Sequence, residues 1–433
     1  MEGWKVFPLG DLVDPKRGIS YGIVQPGEHA PSGIPIVRVS DLKGDRVDKG
    51  KPLRVATSVE APFSKTRLRG GELIMSIVGT VGQTAIVDES LVGWNVARAV
   101  AVIPVVDEIG AYWVKLSLKG GPARNHIGDR LNTTVQATLN LRDLVSLPIV
   151  VPPLDERLAI AATLGALDDK IELNRRMCET LETMARALFR DWFVDFGPTR
   201  AKMAGTAPYL DADLWSLFPD RLDDDGKPEG WKESMLGSFT RIKNGYAFKS
   251  SDWTTEGSPV VKIGSVKPGI VDLNQVSFVS EYTSRERADF RIPIGSMLVG
   301  LTGYVGETGR VPPCTRLPLL NQRVGMFEPD EACEEFVFTC VRMPSFKQHA
   351  EEAAHGSAQA NVSTKDLLRF PLINAGRALT AMFGVLTKPF LDAFLANLAE
   401  SEALAKTRDL LLPRLMSGEL RVADAERPLE EVL

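Results

Sequence analysis

The chain has 433 residues, 44% hydrophobic and 25% charged, which is the composition of an ordinary folded protein and excludes a largely disordered one. Four irregularly spaced cysteines predict no disulfide framework, and four scattered histidines predict no metal site. The net charge of −5 argues against a uniformly basic nucleic-acid binder, but residues 1–150 carry 18 Lys and Arg against 15 Asp and Glu. We expect no transmembrane helix and no secretory leader, and therefore a cytoplasmic protein.

A repeat with a period near 225 residues divides the chain into two similar halves. Each half begins with a β-rich segment and continues into a helical one. The matching stretches, first half before second, are EGWK at 2–5 and 229–232, GIPIVRV at 33–39 and GSPVVKI at 257–263, GELIMSIVGTVGQT at 71–84 and GSMLVGLTGYVGET at 295–308, TVQATLNLRDLVSLP at 134–148 and SAQANVSTKDLLRFP at 357–371, and the single residues Gly10 and Gly237, Lys16 and Lys243, Gly18 and Gly245.

The β-rich segments contain short Val- and Ile-rich runs bounded by Gly, Pro and Asp, a pattern typical of strands. Two glycines three residues apart follow one of these runs in each half, Gly79 with Gly82 and Gly303 with Gly306. This spacing predicts a tight turn that needs positive φ angles.

The helical segments carry apolar residues at alternating spacings of three and four, which is the heptad pattern of a long helix with one buried seam. The first helix is predicted from about 155 to 193, with Asp155 as its N-cap. In the second helix, we expect Pro389 to kink or delay the start and the region of Pro413 to end it. The seam residues predicted to form the interface between helices or subunits are Leu167, Ile171, Asn174, Leu181, Leu188, Trp192, Phe394, Asn397, Leu404 and Leu411.

Two features of the seam suggest specific contacts. Asn174 and Asn397 occupy the same place in the repeat, and a lone Asn in such a seam fixes the register of a helix pair. We therefore predict antiparallel pairing about a pseudo-twofold axis; the alternative is that both side chains face solvent. An apolar patch near the end of the first helix either binds a partner subunit or packs beneath the second β-rich domain; it comprises Leu181, Leu188, Phe189, Trp192 and Phe193.

These patterns predict an α+β fold, a tandem duplication with two similar β-rich domains separated by two long antiparallel coiled-coil helices. The predicted boundaries are 1–150 for the first β-rich domain, 151–195 for the central helical region, 196–230 for a linker, 231–372 for the second β-rich domain, 373–422 for the distal helical region and 423–433 for the tail.

Catalytic motifs are missing from the sequence. It contains no phosphate-binding P-loop, no H-E-x-x-H, no G-x-S-x-G and no cysteine quartet. Pro219-Asp220 followed by Asp225 and Lys227 faintly suggests a metal-dependent nuclease, but the stretch reads better as an exposed acidic linker. We therefore predict no catalytic residue and no metal ligand, and a binding protein whose two similar readers suit a two-part target such as duplex DNA.

The order of several stretches resembles the specificity subunit of type I restriction–modification enzymes. WKVFPLGDL and WKESMLGSF resemble the openings of its two target-recognition domains. Residues 147–193 resemble the central conserved region, FPDRLDDDGKPEGW at 218–231 the linker, and LAKTRDLLLPRLMSGEL at 404–420 the distal conserved region. One departure concerns a late strand that often starts with Asn-Gln-Arg. The second half has Asn321-Gln322-Arg323, whereas the first half has Asn95-Val96-Ala97-Arg98, one residue more.

The resemblance implies a non-catalytic subunit that binds an asymmetric bipartite DNA site. It also implies a scaffold for two adenine-methyltransferase subunits and for restriction subunits, with S-adenosylmethionine, ATP and Mg²⁺ bound by those partners and none by this chain. The competing hypothesis is a helical adaptor that holds other proteins and binds no DNA.

Residues on predicted loops, at places where the two halves diverge, are the candidates for DNA contact, because phosphates are bound by Lys and Arg and base edges by Arg, Asn, Gln, Ser and Thr. For each of them a solvated loop residue is the alternative. They are Lys16, Arg17, Tyr21, Thr80, Gln83 and Arg98 in the first half, and Lys243, Asn244, Tyr246, Lys249, Tyr304 and Arg323 in the second. Gln136 and Gln359 are further candidates, or else backbone caps inside the fold.

Overall fold

A computed structural model of the chain describes residues 3–130, 137–354 and 360–422. Gln136, Gln359 and the predicted tail at 423–433 lie outside these ranges. The first β-rich domain contains strands Lys5–Pro8 (β1), Ser20–Tyr21 (β2), Ile34–Val37 (β3), Leu42–Lys43 (β4), Arg46–Val47 (β5), Leu53–Val55 (β6), Leu73–Ser76 (β7), Thr84–Ile86 (β8), Asn95–Val96 (β9), Val100–Ile103 (β10) and Pro148–Val151 (β11), and helices Thr57–Glu60 (α1), Ala111–Lys119 (α2), Gly121–Arg130 (α3) and Leu141–Val145 (α4).

Three helices follow, Leu154–Phe193 (α5), Gly197–Met203 (α6) and Ala212–Ser216 (α7). The second β-rich domain contains strands Lys232–Met235 (β12), Thr240–Asn244 (β13), Trp253–Thr254 (β14), Ser258–Val261 (β15), Val266–Lys267 (β16), Gly269–Val271 (β17), Ser277–Val279 (β18), Met297–Gly300 (β19), Thr308–Arg310 (β20), Leu319–Leu320 (β21), Val324–Pro329 (β22) and Pro371–Asn374 (β23), and helices Glu281–Glu286 (α8), Glu334–Val341 (α9), Pro344–Ala353 (α10) and Thr364–Leu368 (α11). The chain continues into Arg377–Met416 (α12).

The two β-rich domains share one plan. In each, the first strand pairs antiparallel with the last, β1 with β11 and β12 with β23. The larger sheets run β2-β10-β7-β8 in the first domain and β13-β22-β19-β20-β17-β16 in the second. Among the described residues, the first domain contains one parallel strand pair, β3 with β9, and the second contains two, β15 with β21 and β17 with β20. The mixed helix and strand content predicted from the sequence is therefore confirmed, as are two similar domains.

The chain forms two compact units, residues 1–169 with 404–433 and residues 170–403. The core of the first unit packs β7 and β10 against α2 and α4 through residues such as Met75, Ala101, Val114 and Leu144. The core of the second unit is rich in aromatic side chains from α5, α9 and α12.

The two long helices, α5 and α12, are equivalent in the repeat, because adding 223 to both ends of α5 gives the ends of α12. Two expectations about them were wrong. Helix α5 begins at Leu154, so Asp155 lies in its first turn, where its charge favours the helix, and is not the N-cap. Pro389 does not delay the start of α12, which is continuous from Arg377 to Met416. Pro389 has no N–H group to donate to the Val385 carbonyl, so α12 lacks one backbone hydrogen bond there. Val385 is exposed, so solvent is close to this carbonyl. The helix ends three residues after Pro413, as expected for that region.

The predicted seam residues of both helices are buried or half-buried. Within the second unit the helices run antiparallel, because Asn174 donates to Glu400 at 2.7 Å while Phe189 contacts Phe383 with ring centroids 5.9 Å apart. Leu167, Leu404 and Leu411, on the first-unit side, are also buried.

In the first unit a polar contact holds the β-rich domain to both helices. The Tyr112 hydroxyl on α2 donates to Asp168 on α5 at 2.9 Å, and Arg408 on α12 donates to the same carboxylate at 2.7 Å. Burial, together with the Asp168 charge, raises the pKa of Tyr112 well above its usual range. The raised pKa favours the protonated phenol, which is the form that donates to Asp168.

The two seam asparagines lie on buried faces within the second unit, so they do not face solvent. They do not satisfy each other, because the Asn174 amide donates to Glu400. The Asn174 Oδ1 and Asn397 Nδ2 atoms are buried without a hydrogen-bond partner among the described residues. The seam thus contains one unpaired acceptor and one unpaired donor, each of which opposes folding.

We expect the double variant Asn174→Leu/Asn397→Leu to have a free energy of unfolding higher by about 1–3 kcal/mol, because it removes both unpaired buried atoms. Glu400 loses the amide but keeps Lys170 at 3.3 Å. Guanidinium-induced unfolding measures the difference, with Asn397→Leu alone as the control that removes only the donor. A lower stability of the double variant would show that the amides contribute favourable contacts.

The apolar patch at the end of α5 packs beneath the second β-rich domain, and its proposed role in partner docking is wrong. Phe189, Trp192 and Phe193 are buried in the aromatic core of the second unit. The Trp192 ring contacts Phe218 and Phe383, with centroids 5.2 and 5.8 Å apart. The side chain cannot therefore bind a partner without unfolding this core.

The predicted linker is folded at the stretch that suggested a nuclease. The backbone amide of Asp223 donates to the Lys227 carbonyl at 2.7 Å, and Lys227 forms an ion pair with Asp225 at 2.5 Å. Asp220 is instead paired with Lys202 at 2.9 Å. Throughout the described residues, no cluster of three His, Cys, Asp or Glu side chains could hold a metal ion.

One described helix, α12, is long and apolar enough to cross a membrane by length and composition alone, with a mean hydropathy of 1.4 over 18 residues. The buried core helix of a folded protein passes the same test, so this finding does not contradict the expectation of no transmembrane helix. Leu379, Phe383 and Leu391 on this helix are buried in the core of the second unit. Packing against protein accounts for these apolar side chains.

Candidate nucleic-acid interface

In the first domain a glycine turn and a second loop meet beside the main sheet. Gly79 and Gly82 have φ angles of 80° and 94°, as their spacing predicted. The Gly79 amide donates to the Ala137 carbonyl at 2.8 Å, and Val78 forms a bridge with Thr138. The turn is therefore held in place by backbone contacts to the segment that precedes α4.

These loops border an open cleft of about 350 Å³, which we call the first-domain cleft. It is lined by Tyr21, Val24, Ile77, Val78, Arg98, Thr138, Leu139, Asn140 and Leu141. The structure thus brings together two residues predicted from separate parts of the sequence, Tyr21 and Arg98. Both are exposed, and the Arg98 guanidinium has no partner among the described residues.

The backbone that carries Arg98 is closely constrained. The Arg98 amide donates to the Ile23 carbonyl at 2.9 Å, and the Ile23 amide donates to the Val96 carbonyl at 2.8 Å. This approach requires glycine at position 22, because a Cβ atom there would lie 1.8 Å from the Val96 oxygen.

A buried carboxylate supports the strand that precedes Arg98. Asn95 on β9 donates to Glu60 at 2.9 Å, and Arg67 donates to the same carboxylate. Hydrogen bonding from Arg67, reinforced by Asn95, holds the pKa of Glu60 below its usual value despite burial. Asn95 is therefore a structural residue and not part of a DNA-reading motif.

The second domain repeats this scaffold. Gly303 and Gly306 have φ angles of 78° and 72°, and the Gly303 amide donates to the Ala360 carbonyl at 2.9 Å. The Thr302 hydroxyl donates to the Asn361 side-chain oxygen at 2.9 Å. Tyr304 is 65% exposed at this turn, where Thr80 stands in the first domain.

The backbone hydrogen bonds align the two domains at Arg98. The Gln322 amide donates to the Tyr246 carbonyl at 2.9 Å, as Arg98 does to Ile23. The Val324 amide donates to the Asn321 carbonyl at 2.9 Å, as Val100 does to Ala97. Arg98 is therefore equivalent to Gln322, and the expected equivalence of Arg98 and Arg323, with one extra residue in the first half, was wrong.

The same comparison corrects the start of the repeat. Strand pairing opposes Tyr21 to Ala101 and Asn244 to Gly325, which makes Tyr21 equivalent to Asn244. The offset thus falls from 227 at Gly10 to 223 at Tyr21, because the first domain has four extra residues before β2. Consequently Lys16 does not correspond to Lys243, nor Gly18 to Gly245.

Most of the remaining predicted contact residues lie on the surface, and their contact with DNA stays a prediction. Gln83 is half-buried beside the first glycine turn. The exposed ones are Lys16, Tyr21, Thr80, Arg98, Asn244, Lys249, Tyr304 and Arg323.

Three predicted contact residues are instead engaged within the fold. The Arg17 guanidinium forms an ion pair with buried Glu72 and donates to the Arg67 carbonyl at 2.7 Å. Lys243 donates to the Asp289 carbonyl at 2.6 Å. Tyr246 is half-buried against Phe248 and Phe290, beneath the guanidinium of Arg287. We therefore remove Arg17, Lys243 and Tyr246 from the candidate interface.

Two exposed side chains were missed by the sequence analysis. Gln322 stands at the position of Arg98, and Asn140 lines the first-domain cleft. The signal for Gln322 was present in the Asn-Gln-Arg run, which was used only as evidence of resemblance. Asn140 had no local signal, because its place in the cleft depends on contacts between distant segments.

Comparison with known proteins identifies a family that matches both halves of the repeat. The family described as type I restriction modification DNA specificity domain matches residues 1–183 and 228–373. The chain belongs to this family. Its two matched stretches contain the two β-rich domains, so the type I specificity family accounts for the repeat.

Two relatives of the type I specificity family match most of the chain. The chain is 26% identical to the type I restriction enzyme HindI specificity subunit of Haemophilus influenzae, over 97% of this chain and 100% of that one. It is 24% identical to the EcoKI specificity subunit of Escherichia coli K12, over 84% of this chain and 77% of that one. A solved S subunit from M. genitalium aligns over 95% of this chain with 16% identity and a TM-score of 0.49. The predicted specificity-subunit role, which is non-catalytic, is confirmed by the family and its named relatives.

Proposed function

We propose that this chain reads an asymmetric, two-part duplex DNA site for a type I restriction–modification complex. The observation that carries the proposal is the repeated scaffold. Two diverged domains hold the same glycine turn and the same backbone hydrogen bonds, yet present Tyr21 and Arg98 in one and Asn244 and Gln322 in the other. A fixed frame with variable exposed side chains suits two readers of two different half-sites.

The proposal includes the partners implied by the family. Two adenine-methyltransferase subunits and the restriction subunits assemble on this chain, and they bind S-adenosylmethionine, ATP and Mg²⁺. The helices α5 and α12 wind as an antiparallel coiled coil that supports this assembly. The complex acts in the cytoplasm, and the domain boundaries are those expected from the sequence, 1–150, 151–195, 196–230, 231–372, 373–422 and 423–433.

Co-expression of this chain with the adenine methyltransferase of its own system, in a host without adenine methylation, tests the proposal. Single-molecule sequencing then maps methyladenine. We expect one asymmetric two-part motif to be methylated at nearly every occurrence. The methyltransferase expressed alone is the control, and it is expected to give no such motif.

The competing function is an adaptor that binds protein but no DNA, which the net charge of −5 favours. Binding of the purified complex to duplex DNA at graded salt separates the two. A DNA reader loses affinity steeply as salt rises, because phosphate contacts release counterions. Co-purification without a methylated motif and without DNA binding would support the adaptor.

A further inference from the structure

We infer that Arg98 and Gln322 are equivalent base-reading residues. Arg98 reads a guanine in the half-site bound by the first domain, and Gln322 reads an adenine at the equivalent place in the other half-site. The inference rests on the proposed function and identifies which base each domain requires there.

The backbone at both positions is held by the same contacts. The Arg98 amide donates to the Ile23 carbonyl and the Gln322 amide donates to the Tyr246 carbonyl, both at 2.9 Å. A glycine beneath it allows this approach, Gly22 in the first domain and Gly245 in the second. A Cβ atom at Gly245 would lie 2.2 Å from the Asn321 oxygen, so neither position tolerates a side chain. The Cα atom of the reading residue is thus positioned equally in both domains, as base readout requires.

The side chains at the two positions are free to reach a ligand. Arg98 and Gln322 are exposed, and neither side chain has a hydrogen-bond partner within the described ranges. This distinguishes Arg98 from Arg17, whose guanidinium is paired with Glu72 and hydrogen-bonded to backbone carbonyls. Arg98 also lines the first-domain cleft of about 350 Å³, together with Tyr21.

The hydrogen-bonding groups of the two side chains match two different bases. An arginine fork presents two donors, which match the O6 and N7 acceptors of guanine. A glutamine amide presents one donor and one acceptor, which match N7 and the N6 amino group of adenine. The equivalent positions therefore predict different bases in the two half-sites.

Reciprocal variants of the full complex test the inference. Arg98→Gln is expected to replace guanine by adenine at one position of the first half-site, and to reduce binding of the original site by about tenfold to a hundredfold. Gln322→Arg is expected to replace adenine by guanine at one position of the second half-site. In each variant the unaltered half-site serves as an internal control, and Arg124→Gln, at an exposed arginine on α3, controls for the loss of charge.

Base preference is read in two ways. Methyladenine mapping is used where the variant methylates, and selection from a randomised duplex library by the purified complex is used where it does not. A half-site with unchanged preference at every position in Arg98→Gln overturns the inference for Arg98, and the same result in Gln322→Arg overturns it for Gln322. A variant that selects no duplex from the library, although the wild-type complex does, lacks the expected change of base preference and overturns the assignment of that residue.

The wild-type complex separates this inference from the function on which it rests. If the wild-type complex yields no motif and binds no duplex, the proposed function fails. If it yields a motif that neither variant alters, the proposed function stands and the assignment of the two readers fails.

Discussion

Replacement of Trp192 with alanine lowers the free energy of unfolding by about 3–5 kcal/mol. The indole is fully buried between Phe193, Phe218 and Phe383, so its removal leaves a cavity and takes away several edge-to-face ring contacts. Guanidinium-induced unfolding followed by circular dichroism measures the loss. This is the size of effect expected of a core residue and not of a docking residue.

Two further variants on α5 show that burial is the cause. Trp192→Phe keeps a ring in the core and removes an indole N–H that has no partner among the described residues, so its cost is expected to be much smaller. Met184→Ala, at an exposed position, is expected to change stability by less than about 0.5 kcal/mol. If Trp192→Ala folded with wild-type stability but no longer bound its protein partners, the result would show that Trp192 contacts a partner and is not a core residue.

Replacement of Gly22 with alanine is expected to abolish recognition through the first domain. The added Cβ would lie 1.8 Å from the Val96 carbonyl oxygen, so the backbone must move and the hydrogen bonds that hold Arg98 must break. We expect DNA affinity to fall at least tenfold, because displacement of a reading residue by about 1 Å removes its base contacts. Fluorescence anisotropy with a duplex containing the mapped site measures this loss.

The matched control is Gly128→Ala on α3, where a Cβ would meet nothing within 4 Å. It is expected to leave DNA affinity unchanged and to stabilise the helix by up to about 1 kcal/mol. Gly245→Ala should reproduce the loss through the second domain. Wild-type affinity in Gly22→Ala, in a folded protein, would show that the segment around Arg98 does not take part in recognition.

Three of the predicted contact residues are engaged within the fold, and distant contacts are the reason. Arg17 lies in a turn as expected, whereas Lys243 lies within strand β13 and Tyr246 forms a bridge with Asn321. Whether such a side chain faces solvent depends on groups far away in the sequence, such as Glu72 for Arg17 and Asp289 for Lys243. The Arg17 guanidinium is paired with the buried Glu72 carboxylate and is not available to phosphate, whereas Lys243 is bonded to a backbone carbonyl.

The alignment between the halves failed for a related reason. Four extra residues before β2 change the offset, and the sequence shows them only as a weak stretch between two good matches. The strand register resolves the ambiguity, because a residue's hydrogen-bond partner shows its place in the fold directly. The register is the reason that Arg98 is compared with Gln322 and not with Arg323.

The sequence by itself determined the duplication, the non-catalytic specificity-subunit family and the two long helices. Each of these follows from a local or periodic pattern of residues along the chain. Heptad spacing and the glycine turns are set by the geometry of the nearby backbone. Only the tertiary structure decided that Trp192 lies in a core, that Pro389 is tolerated within α12, and that Arg98 and Gln322 stand at one position. These depend on contacts between residues far apart in the chain, and burial, pairing and exposure are properties of such contacts.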